Sequence, residues 1–292
     1  MGKINYLEKA VKVEYKKKYT QKGLKLRAKP FIDTALPLNP KRILIVGMAL
    51  GGQEEVEAMK HYFPDYDVYG IDVIKSSLNK KIKAKLFYSD VSNIKIKENF
   101  FSGVMCSAVM HEVYSFSKAG LKKVEKSISE IKRVLCKNGI GAIREFFIPD
   151  STSVRVVMLS EEAKKFSKIF VSKFGNHLDK EFKKNFYIKG DIINTDLRFA
   201  YELLLHFRVY KAHFNNVVNF LISKEIEETY LPITVPEYLE IFWKQGLEII
   251  KIEYTDFPKY YPIIEENFKV LDEESNKIEN FFGFIDLIFR KK

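Results

Sequence analysis

The sequence predicts an α/β fold built on a mostly parallel sheet with helices on both faces. Short apolar strands alternate with helical segments, and this alternation is typical of a parallel sheet. A loop with three glycines lies between the first apolar strand and the helix after it, and the next apolar strand ends in an aspartate. This order of strand, glycine loop, helix, strand and acid indicates a nucleoside-binding site at one edge of the sheet.

The elements of this sheet follow from the apolar runs and from the polar or glycine residues that interrupt them. Strands are predicted at 42–47, 67–72, 84–88, 101–107 and 140–147. Helices are predicted between these strands at 52–63, 75–80 and 118–136, and before them at 4–18 and 20–35. Pro149 ends the fifth strand, because proline cannot donate a hydrogen bond to a sheet.

Residues 149–233 depart from the alternation of strands and helices. Helices are predicted at 160–173 and 197–228, and the segment between them has a mixed pattern. Three histidines and four tyrosines lie in this region, and some of them share one helical face. The face formed by His206, Tyr210 and His213 could line an acceptor pocket or form an amphipathic seam. The region also offers His177, Tyr187 and Tyr201.

The alternation resumes after this region. Thr234 is a predicted N-cap, with Glu237 three residues later as its capping-box partner. A helix, a turn at Gly246 and a strand follow, and residues 282–292 form a final strand. We therefore expect residues 149–233 to be an insertion into one domain.

The glycine loop could bind three kinds of ligand. A P-loop requires a lysine after its last glycine, and Gln53 stands there instead, so this possibility fails. A dinucleotide loop would have Ala49 in place of its second glycine. An S-adenosylmethionine loop would run from Gly47 to Gly51, again with Ala49 as the middle residue.

Four segments, in order along the chain, resemble motifs of the class I S-adenosylmethionine-dependent methyltransferases. They are ILIVGMALG, VYGIDV, LFYSDVS and FFSGVMCSAVMHEV, and SEIKRVLCKNGIGAIREF resembles the helix, turn and fifth strand that usually follow. The resemblance covers about residues 41–148 and again about the last 55 residues. It implies a Rossmann-like fold with a seven-stranded, mostly parallel sheet, and S-adenosylmethionine as the cofactor.

The resemblance also implies which residues contact the cofactor. Asp72 would accept the ribose hydroxyls, and Asp90 would lie near the adenine amino group. The full implied set is Gly47, Ala49, Gly51, Asp72, Val73, Asp90, Val91 and Ser107. Without the resemblance, the glycines could be simple turn residues, Asp72 a solvated strand end, and Asp90 the cap of a following turn.

Catalytic candidates follow the fourth strand, in a segment that should line the cofactor. His111 could act as a base, because its unperturbed pKa lies near neutrality. Glu112 could orient His111 or bind a cationic acceptor; alternatively, both residues are structural. Arg144 and Glu145, at the end of the fifth strand, could contact substrate or pair with each other at the surface.

The sequence also excludes some chemistry. No Asn-Pro-Pro-Tyr or Asp-Pro-Pro-Tyr motif follows the fourth strand, and no Pro-Cys pair lies there. The resemblance therefore argues against methylation of adenine N6 and of pyrimidine C5. No Cys/His cluster has zinc spacing, so no metal site is expected. The two cysteines, Cys106 and Cys136, are expected to be small core residues.

Composition adds expectations about partners and location. The net charge is +11, and residues 1–30 contribute much of it, with ten Lys or Arg against two Glu. A basic helix there could bind phosphates or pack across the sheet. No apolar stretch approaches the ~20 residues that cross a bilayer, no signal peptide is evident, and we expect a cytoplasmic location.

The predicted organisation is a basic helical extension at 1–40, a methyltransferase domain at 41–148 and 234–292, and a mainly helical insertion at 149–233 that serves as a substrate lid. The leading hypothesis is methyl transfer to a small molecule. The alternatives are an RNA (tRNA or rRNA) methyltransferase and a non-catalytic S-adenosylmethionine-binding scaffold. An NAD-dependent oxidoreductase fits the later motifs poorly. The acceptor atom and the oligomeric state are not predicted.

Overall fold

The computed structural model describes residues 20–48, 52–75, 84–147, 152–174, 187–214, 216–221, 223–230, 232–256, 261–278 and 283–292. The strands in chain order are β1 (Arg42–Val46), β2 (Asp67–Asp72), β3 (Lys85–Tyr88), β4 (Phe101–Ser107), β5 (Leu135–Phe147), β6 (Ser153–Met158), β7 (Tyr187–Lys189), β8 (Ile192–Asp196), β9 (Leu247–Asp256), β10 (Phe268–Leu271) and β11 (Gly283–Lys291). The helices are α1 (Gln21–Ile32), α2 (Gly52–Tyr62), α3 (Met110–Ser115), α4 (Leu121–Val134), α5 (Glu161–Phe174), α6 (Leu197–His213), α7 (Val217–Leu221), α8 (Val235–Lys244) and α9 (Tyr261–Glu265).

The main sheet has seven strands in the order β3-β2-β1-β4-β5-β11-β9. Strands β1 to β5 pair in parallel, and β11 is antiparallel to both of its neighbours. The predicted α/β fold with a mostly parallel seven-stranded sheet is therefore confirmed. The order of the strands reverses between β1 and β4, and ligands bind at such a reversal, at the carboxyl ends of the strands.

Both faces of the sheet are covered by helices. On one face, α1 and α2 bury Phe31 and Met59. On the other, α4 and α8 bury Ile128 and Phe242. Strands β1, β2 and β4 are consequently buried along nearly their whole length, as strands covered on both faces of a sheet are. Cys106 and Cys136 are both buried free thiols, as expected.

Region 149–233 contains more strand than the sequence predicted. Strands β6, β7 and β8 join β10 in a second, antiparallel sheet of order β10-β6-β8-β7. The prediction of a mainly helical insertion therefore omitted a sheet, and β10 comes from the range assigned to the methyltransferase domain. Helices α5 and α6 pack on this sheet and bury Phe166 and Phe207 at its centre.

The fifth strand and the helix at 197–228 differ from their predicted bounds. The fifth strand begins at Leu135, earlier than expected, because α4 ends at Val134 and the backbone of its C-cap, Leu135, is already extended. The predicted helix at 197–228 is divided into α6, α7 and a short 3-10 turn at Lys224–Glu227. The helix predicted at 4–18, with its lysines, lies outside the described residues, as does nearly all of 75–80. Within the described ranges, no helix has the length and apolar character of a membrane span.

Candidate active site

The loop after β1 turns sharply at Gly47. The φ angle of Gly47 is +81°, a region that L-residues other than glycine rarely adopt. A Cβ atom at this position would also lie 2.4 Å from Cγ2 of Val109, on the loop after β4. The Gly47 turn therefore lies directly against the side chain of Val109 at the strand reversal. Ala49 and Gly51, the other predicted loop residues, lie outside the described residues.

Asp72 lies buried at the carboxyl end of β2 and contacts this loop. Its Oδ2 accepts a hydrogen bond from the backbone N–H of Met48, at 2.7 Å, and its Oδ1 accepts one from Ile74, also at 2.7 Å. The side chain is not a solvated strand end, since only 7% of the residue is exposed. Asp72 therefore joins the two loops that flank the predicted ribose site.

The other predicted cofactor contacts differ in exposure. Val73 is 53% exposed and Val91 is buried. Asp90 caps a 3-10 turn, because its Oδ1 accepts hydrogen bonds from both the N–H and the hydroxyl of Ser92. Burial alone would raise the pKa of Asp90, but these hydrogen bonds and the nearby Lys123 ammonium lower it below its usual value. Asp90 thus makes the turn-capping contacts that the sequence offered as the alternative to a contact with adenine.

A buried charged group that the sequence analysis missed lies under the loop. Glu55, in the first turn of α2, is 1% exposed and pairs with Arg27 of α1 at 3.1 Å. Burial raises the pKa of Glu55, and Arg27, a hydrogen bond with Ser107, and Arg144 oppose that rise. Ser107, a predicted cofactor residue at the end of β4, therefore contacts the helix that begins at the loop.

His111 lies between two buried carboxylates. Its Nδ1 is 2.7 Å from Oε2 of Glu145, on β5, and its Nε2 is 3.3 Å from Oε1 of Glu228, in the insertion. Burial alone would lower the pKa of His111. The charges and hydrogen bonds of Glu145 and Glu228 outweigh burial and raise that pKa well above its usual value.

The sequence left open that Arg144 and Glu145 pair with each other at the surface. They do neither: both are buried, and each has other partners. Neighbouring side chains of a strand point to opposite faces. Arg144 accordingly forms a bidentate pair with Asp286 of β11, with both distances 2.6 Å. Glu145 instead accepts hydrogen bonds from the backbone N–H groups of Val109 and Met110 through Oε1. It thereby fixes the loop that precedes His111.

The insertion lies directly against this site. Thr229 donates its backbone N–H to the hydroxyl of Ser115, on α3, at 2.9 Å. The ring of Tyr230 lies 5.5 Å from that of His111 and 5.4 Å from that of Phe146. Residues 228–230 therefore connect the insertion to the exit of β4.

Most of the aromatic residues of α6, together with His206, lie in the core of the insertion. His206 and Tyr201 are fully buried, and Tyr210 is nearly so, which fits the amphipathic seam better than an open pocket. His213 is exposed. His177 lies outside the described residues.

Within the part of the chain that the structure describes, one group of side chains could hold a metal ion, although the sequence predicted no metal site. One ligand atom from each of His111, Glu112 and Glu228 lies within 4.8 Å of the others. This group was missed because Glu228 comes from the insertion, far along the chain, and because no regular spacing connects it to His111.

Comparison with known proteins agrees with this architecture. A family profile described as "Methyltransferase domain" matches residues 46–143. No curated protein is significantly similar to the chain in sequence. The chain therefore contains a methyltransferase domain, and the resemblance to the class I S-adenosylmethionine-dependent methyltransferases is confirmed over this segment. The segment begins at the last residue of β1 and includes the glycine loop, Asp72 and His111.

Solved structures share the fold at low sequence identity. A proposed methyltransferase from Bacillus halodurans C-125 has a TM-score of 0.51 and 14% identity, over 91% of this chain and 98% of that one. The cyclase SpnF has a TM-score of 0.50 and 13% identity, over 94% of this chain and 83% of that one. At such identities the likeness concerns the fold alone.

Proposed function

We propose that this protein transfers the methyl group of S-adenosylmethionine to a small-molecule acceptor. The observation that carries the proposal is the position of Asp72. Its carboxylate lies at the carboxyl end of β2, beside the Gly47 turn and next to the strand reversal. Nucleoside ligands of open α/β sheets bind at this place.

The residues around the loop have chemistry that suits such a cofactor. A carboxylate offers about four lone-pair sites, so Asp72 can accept ribose hydroxyls while it holds Met48 and Ile74. Val91, buried beside the end of β3, would contact the adenine ring, and Ser107 would border the methyl donor. When bound, S-adenosylmethionine supplies an electrophilic methyl group, and the protein aligns the acceptor and excludes water.

The surroundings of His111 support a positioning role better than a role as general base. Each of its ring nitrogens faces a carboxylate, so neither is directed at a separate acceptor molecule. Proton removal by His111, with Glu112 as its partner, stays a prediction. Methyl transfer does not require a base when the acceptor atom already has a free lone pair.

The contact between the insertion and α3 supports a small acceptor. Glu228, Thr229 and Tyr230 all contact the segment that follows β4. If the insertion acts as a lid, contacts this close would enclose the acceptor side with protein. Most of the N-terminal lysines of the RNA alternative, those up to Lys18, lie outside the described residues. An experiment on the acceptor therefore has to distinguish the two alternatives.

Cofactor binding is tested by calorimetry with S-adenosylmethionine and S-adenosylhomocysteine. We expect the wild type to bind both and Asp72→Asn to lose at least about tenfold in affinity, because hydrogen bonds to a charged group contribute ~1.5–3 kcal/mol. Asp67→Asn is the matched control. Asp67 lies at the other end of β2 and pairs on the surface with Lys85, so its substitution should leave the affinity unchanged.

Two results would contradict the proposal: no binding to the wild type at millimolar cofactor, or equal losses in Asp72→Asn and Asp67→Asn. The acceptor class is tested with a methyl-labelled cofactor and, separately, the small-molecule extract and the total RNA of the source organism. Label in the small-molecule fraction supports the proposal, and label in RNA would favour the alternative.

A further inference from the structure

The cluster of His111, Glu112 and Glu228 combines an imidazole with two carboxylates from separate parts of the fold. His111 and Glu112 lie on α3, and Glu228 follows the 3-10 turn of the insertion. His111 and Glu228 are buried, and Glu112 is half-buried. Imidazole is a ligand suited to Zn, Cu, Fe and Ni, and carboxylates are suited to Mn, so the two ligand types together fit a divalent transition metal.

The distances within the cluster fit a shared ion. Metal–nitrogen and metal–oxygen bonds of about 2.0–2.2 Å place neighbouring ligand atoms about 3.0–3.5 Å apart. Nε2 of His111 and Oε1 of Glu228 are 3.3 Å apart. The full set extends over 4.8 Å, so one carboxylate has to move slightly. Glu112 is suited to that movement because it is only half-buried.

The orientation of His111 is fixed as metal-binding histidines usually are. Such a histidine donates its second ring N–H to a carboxylate, which fixes the tautomer and the ring plane. Here Nδ1 of His111 faces Oε2 of Glu145 at 2.7 Å. Glu145 is itself held by the backbone N–H groups of Val109 and Met110. Nε2 is thereby directed toward Glu228.

We propose that His111, Glu112 and Glu228 form a site for one divalent transition-metal ion, with Glu145 as the positioning residue for His111. The ion connects the insertion to the exit of β4, because its ligands come from both. This proposal does not rest on S-adenosylmethionine binding, and the two are tested by separate measurements.

The test uses the full chain, free of affinity tags and treated with a chelator. Mn²⁺ is followed by electron paramagnetic resonance, and Zn²⁺ by calorimetry, both without cofactor. Mn²⁺ avoids binding to thiols, because it prefers oxygen and nitrogen ligands. We expect one ion per chain and a metal-dependent rise in the melting temperature.

Four variants locate the site. We expect Glu228→Gln and Glu112→Gln each to weaken Mn²⁺ binding at least about 100-fold, and Glu145→Gln to weaken it about 10–100-fold, as removal of a histidine-orienting partner does. Glu202→Gln is the matched control. Glu202 is a buried carboxylate of the same insertion that accepts the backbone N–H of Tyr230, and its substitution should leave Mn²⁺ affinity unchanged.

Glu112 is only half-buried, so Glu112→Gln should fold even if Glu228→Gln does not. The proposal can therefore be tested with Glu112→Gln alone. The proposal is overturned if the wild type binds neither ion at millimolar concentration. It is also overturned if Glu112→Gln and Glu202→Gln bind Mn²⁺ equally well.

Discussion

Arg144 and Asp286 place a bidentate ion pair inside the main sheet, between β5 and β11. Both residues are nearly inaccessible to water. A buried charge that loses its partner is strongly destabilising, whereas replacing both partners by apolar residues often is not. We therefore expect Arg144→Met to lower the free energy of unfolding by about 3–5 kcal/mol.

The double variant Arg144→Met with Asp286→Leu should recover most of that loss. The free energies are obtained from urea unfolding of the two variants and the wild type. A single variant as stable as the wild type would show that the ion pair contributes little to the free energy of unfolding. A double variant no more stable than the single variant would show that the loss comes from altered packing and not from the unpaired charge.

Gly47 should tolerate no side chain, for two separable reasons. An alanine there would meet Val109, and it would adopt a φ of +81°. We expect Gly47→Ala to reduce stability, with about 1–3 kcal/mol arising from the backbone strain. Adding Val109→Ala removes the steric contact only, so part of the loss should persist. Thermal unfolding of the three proteins measures this, and complete rescue by Val109→Ala would contradict a contribution from the backbone.

Individual site residues were predictable where the topology places them at a strand end. Gly47 and Asp72 each terminate an apolar run, so the sequence alone indicated their position. Glu228 and Glu55 were missed, because their burial results from contacts between elements that are distant along the chain. No local pattern distinguishes a buried glutamate from the many exposed ones.

At the scale of elements, α8 begins with the capping box that the sequence predicted. The hydroxyl of Thr234 accepts the N–H of Glu237, whose carboxylate accepts the N–H of Thr234. We expect Thr234→Ala to lower the free energy of unfolding by about 1 kcal/mol. Thr234→Ser keeps the hydroxyl and should cost much less. Urea unfolding distinguishes them, and equal losses would mean that the methyl group matters more than the cap.

Elements were predictable where the apolar periodicity and the residues that end it agree. The first four strands follow apolar runs with clear ends, and the predicted and observed bounds differ by at most a residue at each end. Strand β6 was missed although its burial alternates along the strand. Its partners in the second sheet, β8 and β10, come from later in the chain, so nothing nearby in sequence indicated a sheet.

At the scale of the whole molecule, we expect alkaline pH to lower the free energy of unfolding, because Tyr210 in the insertion loses its proton there on unfolding. Burial and the hydrogen bond to Glu162 raise the pKa of Tyr210 to about 12. Its ordinary value is about 10. The native state therefore retains a proton on Tyr210 that the unfolded state loses. The contribution of Tyr210 to the free energy of unfolding is fully present below pH about 10 and is lost as the pH rises toward about 12.

Tyr210→Phe should remove this part of the pH dependence. Between these pH values the wild type should lose up to about 2 kcal/mol more than the variant. Melting temperatures of both proteins across this range provide the measurement. Parallel curves would show that Tyr210 does not contribute to the alkaline transition.

The position of β11 in the sheet has a consequence for how the chain is made. Strand β9 pairs with β11 alone in the main sheet, and β11 separates it from β5. A ribosome releases β9 before β11. Until β11 is made, β9 has no partner strand in the main sheet, and its residues Ile249 and Ile252 are exposed. Such edges are prone to aggregation. The slowest stage of biogenesis should therefore come late, when β11 enters between two strands that are already present.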